Sequence, residues 1–153
     1  MTDSSTEHAV RAEGPPRRRA AVAAAVGFTA LAAFQLALAL GAPLGSAAWG
    51  GTYDQLPAGL RIASAFAVAV WVLAALIVLR RVGFSISLLP PAIARWGSWV
   101  LVGLLPLGAL MNFASPSNWE RFGWGPVALI LAVLCLMVAR GGWTDARSTS
   151  GGA

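Results

Sequence analysis

Two carboxylates, Asp54 and Glu120, stand in the loops between long apolar stretches, each with an arginine close by in Arg61 and Arg121. A carboxylate at the head of an apolar segment can act as a general base on a substrate at a membrane interface. It can also be one half of an interfacial ion pair, which accounts for the same residues with fewer assumptions. No nucleophile, metal cluster or phosphate-binding loop accompanies the pair, so the sequence gives no catalytic residue and reads as a non-enzyme. Cys135 is the only cysteine and His8 the only histidine. One chain therefore has no disulfide, no CxxC pair and no Cys/His metal site, and neither a metal nor a cofactor is expected. Cys135 sits among Leu134, Leu136 and Met137, where a thiol behaves as a small buried hydrophobe.

Further polar residues fall near the two carboxylates in the linear map. Ser64 lies at the head of an apolar segment, Asn112 at the end of another, and Gln35 within one, about 7 Å below its end at a rise of about 1.5 Å per residue. Gln35, Asp54, Arg61, Ser64, Asn112, Glu120 and Arg121 form the candidate site, a polar cap on one end of the molecule. A buried amide in lipid must find a partner, so Gln35 is expected to make an interhelical hydrogen bond.

The elements that position these residues follow from composition. The chain has 153 residues, 58% hydrophobic and 11% charged, which is too apolar for an ordinary soluble domain. A hydrocarbon core about 30 Å thick is crossed by about 20 apolar helical residues. Four runs qualify, at 20–40, 61–79, 97–113 and 123–139. In the second, ten strongly apolar residues supply about −3 to −6 kcal/mol of insertion free energy, which outweighs the terminal Arg61. The first run, behind Arg17, Arg18 and Arg19, is longer than the apolar region of a secretory signal and reads as a retained helix. The expected fold is an all-α membrane protein, a four-helix antiparallel transmembrane bundle over 20–140.

Orientation comes from the arginines. With the N-terminus in the cytoplasm, nine of the eleven fall inside and only Arg61 and Arg121 outside, so both termini are expected to be cytoplasmic and the polar cap extracytoplasmic. Residues 1–19 and 141–153 read as disordered tails. The positive charge sits at the ends of apolar segments rather than along a soluble face, which argues against nucleic acid as a partner. Lysine is absent while Ala, Gly and Arg abound, the bias of a GC-rich bacterial genome, and the expected location is the bacterial plasma membrane.

Local signals refine the map. Pro57 suits a helix start, and Arg80–Arg81 before Gly83 and Arg140 before Gly141 suit helix ends. Pro106 frees the carbonyl of Val102 and predicts a kink. Small residues at four-residue spacing, Ala23/Gly27, Ala33/Ala37/Gly41, Ala63/Ala67 and Ala65/Ala69, predict close helix packing. Ser117 and Glu120 match a capping box, and Glu120 is alternatively a partner for Arg61 or Arg121. Pro126 leaves two starts open for the last helix, near Ser117 or near Trp124. Trp49, Trp119 and Trp124 form one aromatic belt and Trp96, Trp99 and Trp143 the other, while mid-span Trp71 needs a packing partner.

The segments GAPLGSAAWGG (Gly41–Gly51), LPAGLRIAS (Leu56–Ser64) and MNFASPSNWERFGWGPVALILA (Met111–Ala132) resemble those of a group of small bacterial four-helix membrane proteins of unassigned function. The resemblance implies that the loops of the cap carry the character of the group; it brings no catalytic residue, cofactor or substrate. The leading functional expectation is a non-enzymatic multi-pass protein that engages membrane lipid, a membrane-protein partner or a second copy of itself through the cap. The alternative is a small transporter acting as a dimer, weakened because no Asp or Glu lies within an apolar span to exchange protons.

Overall fold

The computed structural model of the chain describes residues 4–141, with side chains from residue 16 onward. Four long helices account for most of it: α1 (Ser4–Ala39), α2 (Ala58–Arg81), α3 (Pro91–Ala114) and α4 (Gly125–Arg140). No strand occurs among the described residues. The tail expected after Gly141, with Trp143 and Arg147, lies outside the described residues, as do the side chains of His8 and Arg11.

Four helical segments are long and apolar enough to cross a membrane: Pro16–Ala39, Ala58–Arg81, Pro91–Ala114 and, with the turn that precedes α4, Glu120–Arg140, of 24, 24, 24 and 21 residues. Counting apolar residues underestimates these lengths, because helical hydrogen bonding runs on through residues that the hydrocarbon would reject. Thus α1 takes in Arg17, Arg18 and Arg19, which the sequence assigns to a tail. Likewise α3 begins at Pro91, whose fixed φ and missing N–H suit a first helical position, six residues before the expected Gly97. Pro106 stands inside α3, which continues through it.

The last helix resolves the choice between two starts. The chain turns helical directly after Ser117, passes through a π-helical turn at Glu120–Trp124, and becomes α4 at Gly125. Pro126 has no N–H for the carbonyl of Phe122, and the turn widens instead: the Gly125 N–H bonds to the Glu120 carbonyl.

Helices adjacent in sequence are adjacent in space, and α1 also packs on α4, which closes the ring. Direction alternates. Arg17 near the start of α1 meets the ends of α2 and α4, while Ala39 at the end of α1 meets Arg61 near the start of α2. The core combines small residues with a few large ones: Ala21, Ala24, Phe28, Ala74, Val78, Leu105, Cys135 and Val138 are all buried. Phe28 stacks on Trp71 with ring centroids 5.8 Å apart, so mid-span Trp71 has its packing partner. Two contacts show why small residues matter in lipid, where little else drives backbones together. A Cβ on Gly27 would come 2.7 Å from Leu131 on α4, and one on Gly97 2.8 Å from Ile77 on α2. The four-residue series differ in outcome: Gly27 lies in an interface, whereas Ala23, Ala33, Ala65 and Ala69 are exposed. In an alanine-rich chain the buried stripe on α1 runs instead through Ala21, Ala24, Ala25, Phe28 and Ala32.

Candidate functional site

The long connection between α1 and α2, residues 40–57, folds back over one end of the bundle. Its shape begins with backbone conformation. Trp49, Gly50 and Gly51 have φ of +53°, +82° and +72°, three successive left-handed residues that reverse the chain. Glycine accepts this conformation without penalty, whereas at Trp49 it is a strain that neighbouring contacts must offset. Those contacts are present. The Trp49 indole N–H donates to Ser64 Oγ at 3.1 Å, on a serine that α2 buries completely. The loop also closes on itself where the Gly45 N–H donates to the Asp54 carbonyl at 3.0 Å. A Cβ on Gly45 would come 2.5 Å from the Tyr53 carbonyl oxygen, so this crossing admits only glycine.

The connection between α3 and α4 fastens the loop from the other side. Glu120 accepts twice: one carboxylate oxygen takes the Gly50 N–H at 2.9 Å, the other the Ser115 hydroxyl. Ser115 Oγ in turn accepts the Ser117 N–H at 3.1 Å. Ser117 Oγ donates to the Ser46 carbonyl at 3.3 Å, and the Trp124 indole N–H to the Ala47 carbonyl at 2.7 Å. Phe34 of α1 tilts against the Trp124 ring at 4.8 Å, and Leu38, Ala48 and Leu56 form a small separate core beneath. The capping box expected from Ser117 and Glu120 is therefore replaced: Glu120 reaches across to another loop, and Ser115 serves the Ser117 amide.

The arginines near Glu120 bond elsewhere. Arg61 Nε donates to the Ala39 carbonyl at 2.9 Å, and Arg121 Nη2 to the Ser115 carbonyl at 2.9 Å. The Ala39 carbonyl is the last of α1, a group with no partner inside its own helix, and Ser115 is the extended residue that directly follows α3.

Of the seven candidate residues, Ser64 and Glu120 bind the loop by side chain and Asp54 by its carbonyl, with its carboxylate exposed. Asn112 contributes its carbonyl to the Ser115 N–H at 3.1 Å. Gln35 stands apart: its buried Oε1 has no hydrogen-bond partner among the described residues, so the expected interhelical bond is not made by that atom. Residues absent from the candidate set do as much as those in it. Trp49, Ser115, Ser117 and Trp124 all fasten the cap, and the available sequence signal was the pairing of two Trp-Gly loops, WGG and FGWG, with the serines of SPS.

Chemically, the cap is a finished structure. Its main carboxylate is engaged by two donors, and no group of three or more His, Cys, Asp or Glu residues that could hold a metal stands together among the described residues. Its exposed side chains are aromatic and polar: Tyr53, Trp119 and Phe122, the last two at 65% and 72%, and Thr52, Asp54 and Gln55. No family model, no curated protein and no solved structure matches the chain.

Proposed function

We propose that the chain is a non-enzymatic, multi-pass protein of a bacterial plasma membrane, with both termini in the cytoplasm, whose extracytoplasmic cap engages a membrane-protein or lipid partner. The observation that carries this reading is the double use of Glu120. A carboxylate that accepts a backbone N–H and a hydroxyl while ordering a loop is a fastener, and a general base needs that capacity for substrate. The fastening fixes the loop in one conformation and presents Tyr53, Trp119 and Phe122 on a rigid support, which lowers the ordering cost of binding. Aromatic side chains with a polar rim are the composition of recognition surfaces. The arginine count supports the orientation.

Photo-crosslinking in living cells tests the reading. A photoreactive residue at Tyr53 or Trp119 is expected to capture one partner repeatedly and in near-stoichiometric yield, and the same residue at Ile130, on the exposed face of α4, is not. Cap positions that give the Ile130 pattern would refute a partner there. For orientation, a fluorescent protein fused after Ser150 is expected to be bright and an alkaline phosphatase fusion inactive; the reverse pattern would overturn the placement of the termini.

A further inference from the structure

The seven described arginines at the end opposite the cap fall into two groups. Arg17, Arg80 and Arg81 turn inward onto backbone. Arg17 donates to the carbonyls of Arg81 at 3.2 Å, Val138 at 3.3 Å and Gly141 at 3.0 Å, Arg80 to that of Leu89 at 2.9 Å, and Arg81 to that of Ala139 at 3.2 Å. Arg18, Arg19, Arg95 and Arg140 are exposed. Arg18 lies 4.9 Å over the Phe84 ring and Arg95 5.7 Å from the Trp96 ring, cation–π contacts that use none of the five N–H donors of a guanidinium in a hydrogen bond to backbone. Arg19 and Arg140 have no hydrogen bond or ring contact among the described residues. Among the residues whose side chains are described, the two carboxylates, Asp54 and Glu120, both belong to the cap, while Glu7 and Glu13 lie on α1 with their side chains outside the described set. The exposed indoles of Trp96 and Trp99 stand beside these cations on α3.

We infer that this end binds the phosphate headgroups of anionic phospholipid through Arg18, Arg19, Arg95 and Arg140. The guanidinium fork matches two phosphate oxygens at once. The placement selects lipid over an acidic polypeptide. The four cations are distributed over α1, α3 and α4 around the rim of the bundle, near the ends of the membrane-length segments, with the indoles of Trp96 and Trp99, the residue type that collects at headgroups, close to Arg95 on α3. Headgroups approach such a rim from every side in the plane of the membrane, and several cations near an anionic surface add their effects. The inference rests on the membrane placement of the helices and is independent of what the cap binds.

Native mass spectrometry of the full chain, released from detergent with equal phosphatidylglycerol and phosphatidylcholine, provides the test. The wild type is expected to retain phosphatidylglycerol preferentially, with the preference falling as salt rises. R18Q/R19Q/R95Q/R140Q is expected to lose about tenfold or more of that preference, and the four lysine substitutions to keep most of it. Two variants that change net charge equally separate a local site from a global field. R18Q/R140Q should lose preference, whereas T52E/Q55E at the cap should retain it. Wild-type preference in the quadruple variant, or equal loss in both double variants, would overturn the inference. So would an acidic polypeptide that co-purifies and displaces the phosphatidylglycerol. Should the quadruple variant fail to fold, R19Q/R140Q carries the test, because neither side chain has a described partner; unchanged preference there would also overturn it.

Discussion

The two ends of the bundle weight polar groups differently, although Arg61 also joins α2 to α1 at the cap end. At the cap, one carboxylate and several hydroxyl and indole groups hold a loop onto the helices. At the other end, guanidinium groups hold helix to helix, with Arg17 of α1 joined to α2 and α4 and Arg81 of α2 joined to α4. The reason is the same accounting of backbone. The last carbonyls of a helix have no internal partner, and arginine, with five donors in a fixed fork, can serve several of them together. The difference teaches that damage at the arginine end should loosen the bundle, whereas damage at the cap should loosen a surface.

Arg17→Ala is the severest way to try that contrast. It strips three carbonyls on two helices of a charged donor, and a global loss of about 2–4 kcal/mol is expected in denaturant titration of the detergent-solubilised protein. Arg17→Lys should recover part of it, because an ammonium lacks the fork. At the other end, Glu120→Ala leaves the Gly50 N–H without its acceptor, a local cost of about 1–3 kcal/mol. It should appear as faster amide exchange across Gly45–Gly51 with little change in the global transition. Gly45→Ala drives a Cβ into the Tyr53 carbonyl and should expose the same loop to protease at a cost of about 1–2 kcal/mol. Trp49→Phe removes the bond to Ser64 together with part of a half-exposed ring and should have the smallest effect, about 0.6 kcal/mol for the hydrogen bond. A global collapse in Glu120→Ala, with Arg17→Ala unaffected, would reverse the contrast altogether.

The spans were legible because insertion into hydrocarbon is a sum over residues, and sums survive ignorance of tertiary contacts. Helix ends were less so. Arg17 reads as the edge of a tail because charge opposes insertion, yet the residue lies on α1 and folds toward carbonyls contributed by Val138 and Gly141. Ser64 and Glu120 were legible as members of the cap, but their partners were not. Glu120 sits three residues after Ser117, and local spacing favours a capping box; the contact it makes is to Gly50, 70 positions away. Trp49 and Trp124 read as belt residues since indoles collect at interfaces, and their N–H bonds depend on a loop path set by the left-handed run at Trp49–Gly51. Gln35 is the converse case: chemistry asks for a partner, and its Oε1 has none among the described residues.

The reach of Arg17 also sets an order of events during biogenesis. Its acceptors lie 64, 121 and 124 positions downstream, so the whole of α1 is synthesised before any of them exists. A nascent chain halted before residue 138 carries that guanidinium with two of its three carbonyls still unmade, and the ring of helices is locked only when the final one arrives.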